Sequence, residues 1–382
     1  MRRQTNEVMV GGVPMGGNNP IRVQSMTTVP TMDTEGCIAQ IERIVDAGGE
    51  YVRLTTQGER EAENLKNIKE GLLRDGYTVP IIADVHFNAR VADTAALYAD
   101  KVRINPGNYV DPARKFKQID YTDEQYAEEL RRLEERFVKF LNICREHHTA
   151  IRIGVNHGSL SDRIMSRYGD TPEGIVESCM EFLRVCVGQQ FKDVVVSIKA
   201  SNTAVMVESV KLLVREMDRE DMHFPLHLGV TEAGEGEDGR LKSAVGIGAL
   251  LMEGIGDTIR VSLSEEPENE IPVAYGILQA ARARITKTEF ISCPGCGRTM
   301  FGLQETIARV KEAVGSRGSN LKIAIMGCIV NGPGEMADAD YGYVGAGKGK
   351  ISLYKGKECI ERNIPEDEAV EHLLKLIEKE EN

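Results

Sequence analysis

Short runs of β-branched and other apolar residues recur along the first two-thirds of the chain, each bounded by turn residues. Between them apolar residues recur at i, i+3, i+4 and i+7, for example from Gly36 to Ala47 and from Thr203 to Met217, which predicts amphipathic helices. The apolar runs predict eight strands, over 21–26, 51–54, 81–84, 101–104, 151–155, 194–198, 226–230 and 258–262.

Eight strands that alternate with helices are typical of one α/β architecture, the (β/α)8 or TIM-type barrel. A doubly wound sheet is the alternative, but it would usually contain fewer strands. Past Thr288 the pattern changes to short strands at 289–292, 322–326, 343–344 and 351–354, with helices at 303–314 and 366–380. We therefore predict a barrel over 1–268, a linker helix over 269–288 and a small α+β domain over 289–382.

Composition excludes several classes of function. A net charge of −12 disfavours non-specific binding to nucleic acid or to anionic membranes. No stretch of about 18 apolar residues is present and the amino-terminal sequence does not resemble a signal peptide, so we expect a cytoplasmic protein. In a reducing compartment the eight cysteines are not expected to form a disulfide framework.

Basic residues are associated with five of the predicted strands. Because function in a barrel resides where strands end, and because a buried cation needs an anion to neutralise it, they predict a phosphate-rich or diphosphate ligand. The alternative is that each cation pairs with a nearby Asp or Glu. The five residues are Arg53, Arg103, Arg152, Lys199 and Arg260.

Other polar residues follow the same strands. Asn156 and Ser262 are uncharged candidates for the same ligand. His86, close to Asp84, is a further candidate for substrate binding, and these two residues could also act as a proton carrier, a hydrogen-bonded orienter or a structural pair. Glu232 comes just after the seventh predicted strand, where packing gives no reason for a carboxylate. We therefore predict Glu232 as the catalytic acid or base.

Three cysteines are spaced for one inorganic centre. Cys293 and Cys296 form a C-x-x-C loop, and 31 residues separate this loop from Cys328. Thiolates select zinc or iron–sulfur, and a structural zinc site would need four closed ligands. The predicted fourth ligand is Glu335, with Cys359 as its rival. Three thiolates and a carboxylate would leave one iron less tightly held than Cys₄, which favours a redox enzyme.

With these residues assembled, the chain resembles the 4-hydroxy-3-methylbut-2-enyl diphosphate synthases of the non-mevalonate isoprenoid pathway. The motifs that carry the resemblance are spread in order over residues 23–335, nearly the whole chain. They are Val-Gln-Ser-Met-Thr, Ala-Asp-Val-His-Phe, Arg-Ile-Asn-Pro-Gly-Asn, Ile-Arg-Ile-Gly-Val-Asn-His-Gly-Ser-Leu, Ser-Ile-Lys-Ala-Ser, Thr-Glu-Ala-Gly, Cys-Pro-Gly-Cys-Gly-Arg and Gly-Cys-Ile-Val-Asn-Gly-Pro-Gly-Glu.

The resemblance implies a [4Fe–4S] cluster held by the three cysteines and Glu335. It implies reductive ring opening of 2-C-methyl-D-erythritol 2,4-cyclodiphosphate with two electrons from ferredoxin or flavodoxin, and loss of water. The five cations and Ser262 would hold the diphosphate, Asn156 and Asn331 would contact substrate or cluster surroundings, and Glu232 would supply a proton. It also implies a homodimer in which the cluster domain of one subunit covers the barrel of the other.

The wording of several motifs resembles the longer, three-domain branch of this family, yet only about 30 residues separate Ser262 from Cys293. The extra domain of that branch is therefore missing, through either a natural short form or a deletion. Two alternatives of other classes remain at this stage. One is a barrel of the pterin-binding type with a structural zinc site, and the other is a non-catalytic anion-binding scaffold.

Overall fold

The computed structural model describes residues 2–112, 115–315, 321–330 and 332–381. It divides the chain into two compact units, Met1–Arg284 and Ile285–Asn382. The first unit begins with a hairpin of β1 (Val8–Val10) and β2 (Val13–Met15). Its further strands are β3 (Arg22–Met26), β4 (Tyr51–Thr56), β5 (Ile81–Val85), β6 (Lys101–Ile104), β7 (Ala150–Asn156), β8 (Val194–Lys199), β9 (His227–Leu228) and β10 (Thr258–Ile259).

Helices follow the strands of this unit, with two 3₁₀ turns at His157–Ser159 and Pro267–Asn269. Side-chain oxygens of Asp33, Thr122 and Thr171 accept backbone N–H groups at three helix starts, which is why these helices begin there. The helices are α1 (Thr34–Asp46), α2 (Glu59–Arg74), α3 (Ala89–Ala95), α4 (Pro106–Tyr109), α5 (Asp123–Glu146), α6 (Asp162–Tyr168), α7 (Pro172–Gly188), α8 (Thr203–Arg219), α9 (Gly236–Met252) and α10 (Glu270–Ala280).

The eight parallel strands hydrogen-bond in the order β8-β7-β6-β5-β4-β3-β10-β9. A bridge between Val196 and Leu226 joins β8 to β9 and closes the barrel. The predicted (β/α)8 barrel is therefore confirmed, although β9 and β10 are shorter than their sequence patterns indicate. The helix predicted as a linker packs Ile271, Ala274 and Leu278 into the barrel core, so the boundary between the units lies after Arg284.

Alternation along the barrel strands separates an apolar outer face from a polar interior. Val52, Leu54, Val102 and Ile104 belong to the core between strands and helices. The residues between them, such as Arg53, point to the other side because successive side chains of a strand alternate. The barrel interior is consequently lined with polar and charged groups, which is where a ligand-binding site can form.

The hairpin of β1 and β2 closes one end of the barrel, a feature that the sequence pattern did not predict. Val8, Val10 and Met15 form a separate apolar cluster with residues at the amino ends of the strands, and the Tyr51 hydroxyl donates to the Val13 carbonyl at 2.9 Å. The remaining end, formed by the carboxyl ends of the strands, is where barrel enzymes place their sites.

The second unit is an α+β domain. Its elements are β11 (Glu289–Ser292), α11 (Leu303–Val314), β12 (Lys322–Met326), α12 (Gly332–Glu335), β13 (Tyr341–Gly347), β14 (Lys350–Lys355), β15 (Glu358–Pro365) and α13 (Glu366–Glu381). The five strands pair in sequence order, with parallel pairs from β11 to β13 and antiparallel pairs from there to β15. Strand β15 was not predicted. Within the described ranges, no helix has the length and apolar character needed to cross a membrane.

Candidate functional site

The carboxyl ends of the barrel strands bring together the five basic residues that the sequence singled out. Each comes from a different strand or from the residue after it, and four of them have at most 7% of their surface exposed. Their coulombic effects on one another's pKa values show that they form one cluster, which we call the cation cluster. It consists of Arg53, Arg103, Arg152, Lys199 and Arg260.

Asp84 provides negative charge within the cation cluster. Its carboxylate lies 2.9 Å from Arg103 Nη1 and 3.5 Å from Arg53 Nε. Burial alone would raise the pKa of Asp84, but Arg53 and Arg103 outweigh burial and hold that pKa well below its usual range. Asp84 is therefore ionised at any physiological pH.

Glu270 is a second carboxylate at the cluster, and the sequence analysis missed it. Its oxygens accept from Arg260 Nε and Nη2, both at 3.1 Å, from the Ser25 hydroxyl at 2.7 Å and from the Leu263 amide at 3.1 Å. Glu270 belongs to α10, ten residues after Arg260, and no strand pattern marks it. Local ion pairs, which the alternative interpretation expects, are therefore present at Arg53, Arg103 and Arg260.

Arg152 and Lys199 have no carboxylate partner among the described residues. Burial, followed by repulsion from Arg53, lowers the pKa of Lys199, and the same two causes lower that of Arg152. A Cβ at Gly229 would lie 3.0 Å from Lys199 Nζ, so this glycine leaves room for the ammonium group. Five cations facing two carboxylates leave an excess of positive charge that an anionic ligand would neutralise.

Met26 is another residue that sequence reasoning did not single out individually. Its sulfur accepts from Arg53 Nε at 3.1 Å and Nη2 at 2.9 Å, and lies 3.5 Å from Arg260 Nη1. A thioether is a weak acceptor, so two guanidinium groups directed at it retain most of their capacity to bind an anion.

His86 and Asn156 contact the cluster through Arg103. His86 Nε2 is in hydrogen-bond contact with Arg103 Nη1, and Asn156 Oδ1 lies 3.4 Å from Arg103 Nη2. Burial, with a further contribution from Arg103, lowers the pKa of His86 to about 4. His86 is therefore neutral at pH 7. Ser262 is half-buried in the segment after β10.

Glu232 lies in the segment after β9, at the same end of the barrel. It is exposed, and its φ of 54° places it in the left-handed region that non-glycine residues seldom adopt. Among the described residues no side chain pairs with its carboxylate, and Lys242 Nζ donates instead to its backbone carbonyl at 3.3 Å. The structure therefore leaves this carboxylate accessible without placing it in contact with the cation cluster.

In the second unit the predicted metal ligands line one cavity of about 320 Å³, which we call the cysteine cavity. Cys293 and Cys296 lie in the loop after β11, Cys328 follows β12, and Glu335 ends α12. The Gly327 amide donates to Cys293 Sγ at 3.2 Å, a contact that stabilises a thiolate. Over the described part of the chain, no three His, Cys, Asp or Glu side chains are grouped closely enough to hold a single metal ion.

The sequence also indicates Asn331 as a contact residue and Cys359 as a rival cluster ligand. Asn331 lies outside the described residues. Cys359 lies in β15, not in the helical context that its sequence suggested, and its thiol faces the Glu361 carbonyl at 3.6 Å. Cys359 does not line the cysteine cavity, whereas Glu335 does. None of the eight cysteines, all of which are described, forms a disulfide.

Comparison with known proteins agrees with both units. Residues 5–275 match the GcpE TIM-barrel domain, and residues 289–379 match the GcpE protein C-terminal domain. The chain is 47% identical over 598 residues to 4-hydroxy-3-methylbut-2-en-1-yl diphosphate synthase (flavodoxin) of Bacteroides fragilis, covering 98% of this chain and 95% of that protein. It is 51% identical over 384 residues to 4-hydroxy-3-methylbut-2-en-1-yl diphosphate synthase (ferredoxin) of Synechococcus sp., covering 99% and 94%.

A solved structure of Yersinia pestis dihydropteroate synthase aligns with 73% of this chain at 11% identity and a TM-score of 0.46. This similarity is too low to indicate a shared function. The Bacteroides alignment is much longer than the 382 residues present, so long stretches of that relative have no counterpart here. The Synechococcus alignment is close to the length of this chain. The resemblance seen in the motifs is confirmed, and the chain belongs to the GcpE family, of which it contains both the barrel domain and the C-terminal domain.

Proposed function

We propose that this chain is an oxidoreductase of isoprenoid precursor biosynthesis. It would convert 2-C-methyl-D-erythritol 2,4-cyclodiphosphate to 4-hydroxy-3-methylbut-2-enyl diphosphate. In this reaction a carbon–oxygen bond to the ring diphosphate breaks, two electrons are taken up and one oxygen leaves as water. Relatives at 47% and 51% identity carry names of this activity.

The observation that carries the proposal is the uncompensated charge of the cation cluster. Three arginines share two carboxylates, while Arg152 and Lys199 have none in ion-pair contact within the described ranges. A cyclic diphosphate supplies two negative charges and several acceptor oxygens, which match guanidinium and ammonium donors. In this proposal Ser262, Asn156 and neutral His86 add uncharged hydrogen bonds and help to orient the substrate.

The type of donors that line the cysteine cavity supports a [4Fe–4S] cluster. Three thiols and one carboxylate line a single cavity of about 320 Å³, and the Gly327 amide already donates to one of the sulfurs. Cys293, Cys296, Cys328 and Glu335 would hold the cluster, which when bound would pass on, one at a time, the two electrons of the external donor. Glu335 is exposed and belongs to a four-residue helix, which suits a ligand that exchanges more readily than a thiolate.

Glu232 is the proposed proton donor. Its carboxylate is accessible and unpaired among the described residues, and the left-handed backbone conformation holds the side chain in a direction that an ordinary loop conformation would not give. His86, with a pKa of about 4, does not carry the proton at pH 7 and would serve as a hydrogen-bond partner.

The electron donor would be ferredoxin or flavodoxin, the donors named for the relatives. We place the protein in the cytoplasm, where reduced thiols such as the cysteines found here persist. We further propose a homodimer in which cation cluster and cysteine cavity from different subunits form one site.

The direct test is an anaerobic assay with the cyclic diphosphate and a strong one-electron reductant, with the product identified by NMR. Iron and sulfide are measured on the same preparation, and about four of each per chain are expected for the cluster. One zinc per chain without iron, or an iron-loaded protein that leaves the substrate unchanged, would overturn the proposal.

Co-expression of two inactive variants tests the shared site. Arg152→Met removes a cation of the barrel, and Cys328→Ala removes a cluster ligand. If each site combines two subunits, half of randomly formed dimers are mixed and each contains one intact site, so roughly a quarter of the activity returns. If each chain forms its own site, the mixture stays inactive.

A further inference from the structure

A second group of polar side chains lies inside the barrel, nearer its amino-terminal end than most of the cation cluster. Lys101 is the first residue of β6, two positions before Arg103, so both side chains point to the same interior side at different depths. Gln24 of β3, His227 of β9 and Arg152 of β7 accompany it. All four are at most 1% exposed. We call Gln24, Lys101, Arg152 and His227 the interior polar group.

The interior polar group has donor atoms that nothing in the described chain satisfies. Lys101 Nζ, Arg152 Nε and Nη1, His227 Nε2 and both amide atoms of Gln24 are buried without a hydrogen-bond partner. Lys101 contacts the face of the Tyr51 ring, 4.9 Å from its centre, which leaves its N–H donors unused. An unsatisfied buried polar group destabilises the folded state, and more so when it is charged. Such a concentration of unused donors points to a bound species.

The hydrogen-bond donors and the charges of the interior polar group indicate whether an anion or water binds there. Lys101 and Arg152 can only donate. His227 Nδ1 lies 3.4 Å from the Thr258 hydroxyl, so with that hydroxyl donating, the proton is on Nε2 and is directed to the interior. Water would need acceptors as well as donors, and Gln24 Oε1 is the only acceptor among these unpaired atoms. Donors and positive charge therefore favour an anion over water.

No carboxylate of the described chain is in ion-pair contact with Lys101, Arg152 or His227, although a coulombic effect of Asp84 raises the pKa of Arg152. Asp84 pairs with Arg53 and Arg103, and Glu270 pairs with Arg260. Burial lowers the pKa of Lys101, with repulsion from Arg152 second, and burial and the same arginine lower that of His227. In the sheet Lys101 pairs with Ile82 on one side and with Ala150 on the other, and His227 pairs with Thr258.

We propose that the interior polar group binds one small monovalent inorganic anion, of which chloride is the physiological form. The ion accepts hydrogen bonds from Lys101, Arg152, His227 and the Gln24 amide. It supplies negative charge beneath the cation cluster and so supports these cations when no substrate is present. This site shares Arg152 with the proposed diphosphate site and lies deeper in the barrel, and it does not depend on the proposed reaction.

Anomalous diffraction from crystals of the full chain grown in sodium bromide tests the site directly. We expect one anomalous peak within about 3.5 Å of Lys101 Nζ and Arg152 in the wild type, because charge-assisted donors approach a halide closely. The peak disappears in Lys101→Met, which replaces the ammonium by an apolar group of similar length. Ordered waters without an anomalous peak in the wild type would overturn the proposal.

A solution measurement adds a readout that does not need crystals. The thermal midpoint of the barrel is compared in sodium chloride and sodium gluconate at equal ionic strength. Wild type and the surface control Lys66→Met should gain about 3 °C in chloride, and Lys101→Met should gain nothing. If Lys101→Met does not fold, Gln24→Met is expected to halve the gain. Equal chloride responses of all variants would contradict a specific site, whatever the outcome of the activity assay.

Discussion

Replacing Asp84 tests the electrostatic account of the cation cluster, because the Asp84 carboxylate lies 2.9 Å from Arg103 and 3.5 Å from Arg53. At such distances each charge pair is worth about 5 kcal/mol at an effective dielectric constant of about 20. Much of this attraction only offsets the burial of the three charges, which costs several kcal/mol per ion. Asp84→Asn keeps the shape but leaves both guanidinium groups buried without their counter-charge. Removal of one partner from a buried pair costs about 3–5 kcal/mol.

We therefore expect Asp84→Asn to lower the free energy of unfolding of the barrel by about 3–5 kcal/mol, measured by urea unfolding with circular dichroism. The matched control is Asp93→Asn, which breaks a part-exposed pair with Arg136 at 2.7 Å and should cost less than about 1 kcal/mol. A polyanion can replace the lost charge. Saturating pyrophosphate should therefore stabilise Asp84→Asn more than it stabilises the wild type.

The sign of the pH dependence follows from the depressed pKa of Asp84. Its unfolded-state pKa is about 3.9, so the stability it contributes is fully present above that pH and is lost only as pH falls through the lower folded-state value. The difference in free energy of unfolding between Asp84→Asn and the wild type should accordingly stay constant from pH 5 to 8. The reasoning would be refuted if Asp84→Asn lowered the free energy of unfolding by less than about 1 kcal/mol, or if pyrophosphate stabilised Asp84→Asn and the wild type equally.

Three further outcomes follow from the structure. Glu232→Gln should lower kcat at least about 100-fold with KM nearly unchanged. Glu235→Gln, a control at a neighbouring exposed carboxylate, should retain activity, and equal effects of the two substitutions would argue against a proton-donor role. The folded-state pKa of His86 is about 4, so the unfolded chain binds a proton on this histidine at a higher pH than the folded chain does. The free energy of unfolding should therefore fall as pH drops from about 6.5 towards 4. His86→Gln should reduce that fall, as measured by urea unfolding at pH 7.5 and at pH 5. Cys328→Ser should lose bound iron and Cys359→Ser should keep about four irons per chain; loss in both would restore Cys359 as a ligand.

Most barrel strands could be predicted because their outward faces are apolar and their ends carry turn residues. The predicted runs 81–84, 101–104 and 194–198 lie within one residue of the observed strands. The hairpin of β1 and β2 was missed because three-residue strands carry too little pattern to distinguish from a loop. Strand β15 was missed because its exposed and half-buried residues form no apolar run, and Cys359 was consequently placed in a helical context.

The site residues divide in the same way. Arg53, Arg103 and Lys199 could be found because a cation at the end of an apolar strand is costly without a function. Glu270 and Met26 could not, because the partners that make them relevant are brought together only by closure of the barrel. Glu270 meets Arg260 through the packing of α10, and Met26 meets it from the strand paired with β10.

By itself the sequence determined the alternation of strands and helices, the family and the residue types available for an anion and for an inorganic centre, since these depend on local pattern and motif. Only the tertiary structure decided which cations are neutralised and which are not, because that depends on distances between strands far apart in sequence. It also decided that Cys293, Cys296, Cys328 and Glu335, and not Cys359, line one cavity. The depth of burial inside the barrel, which leaves Lys101 Nζ and the Gln24 amide without hydrogen-bond partners in the described chain, likewise exists only once the eight strands have closed.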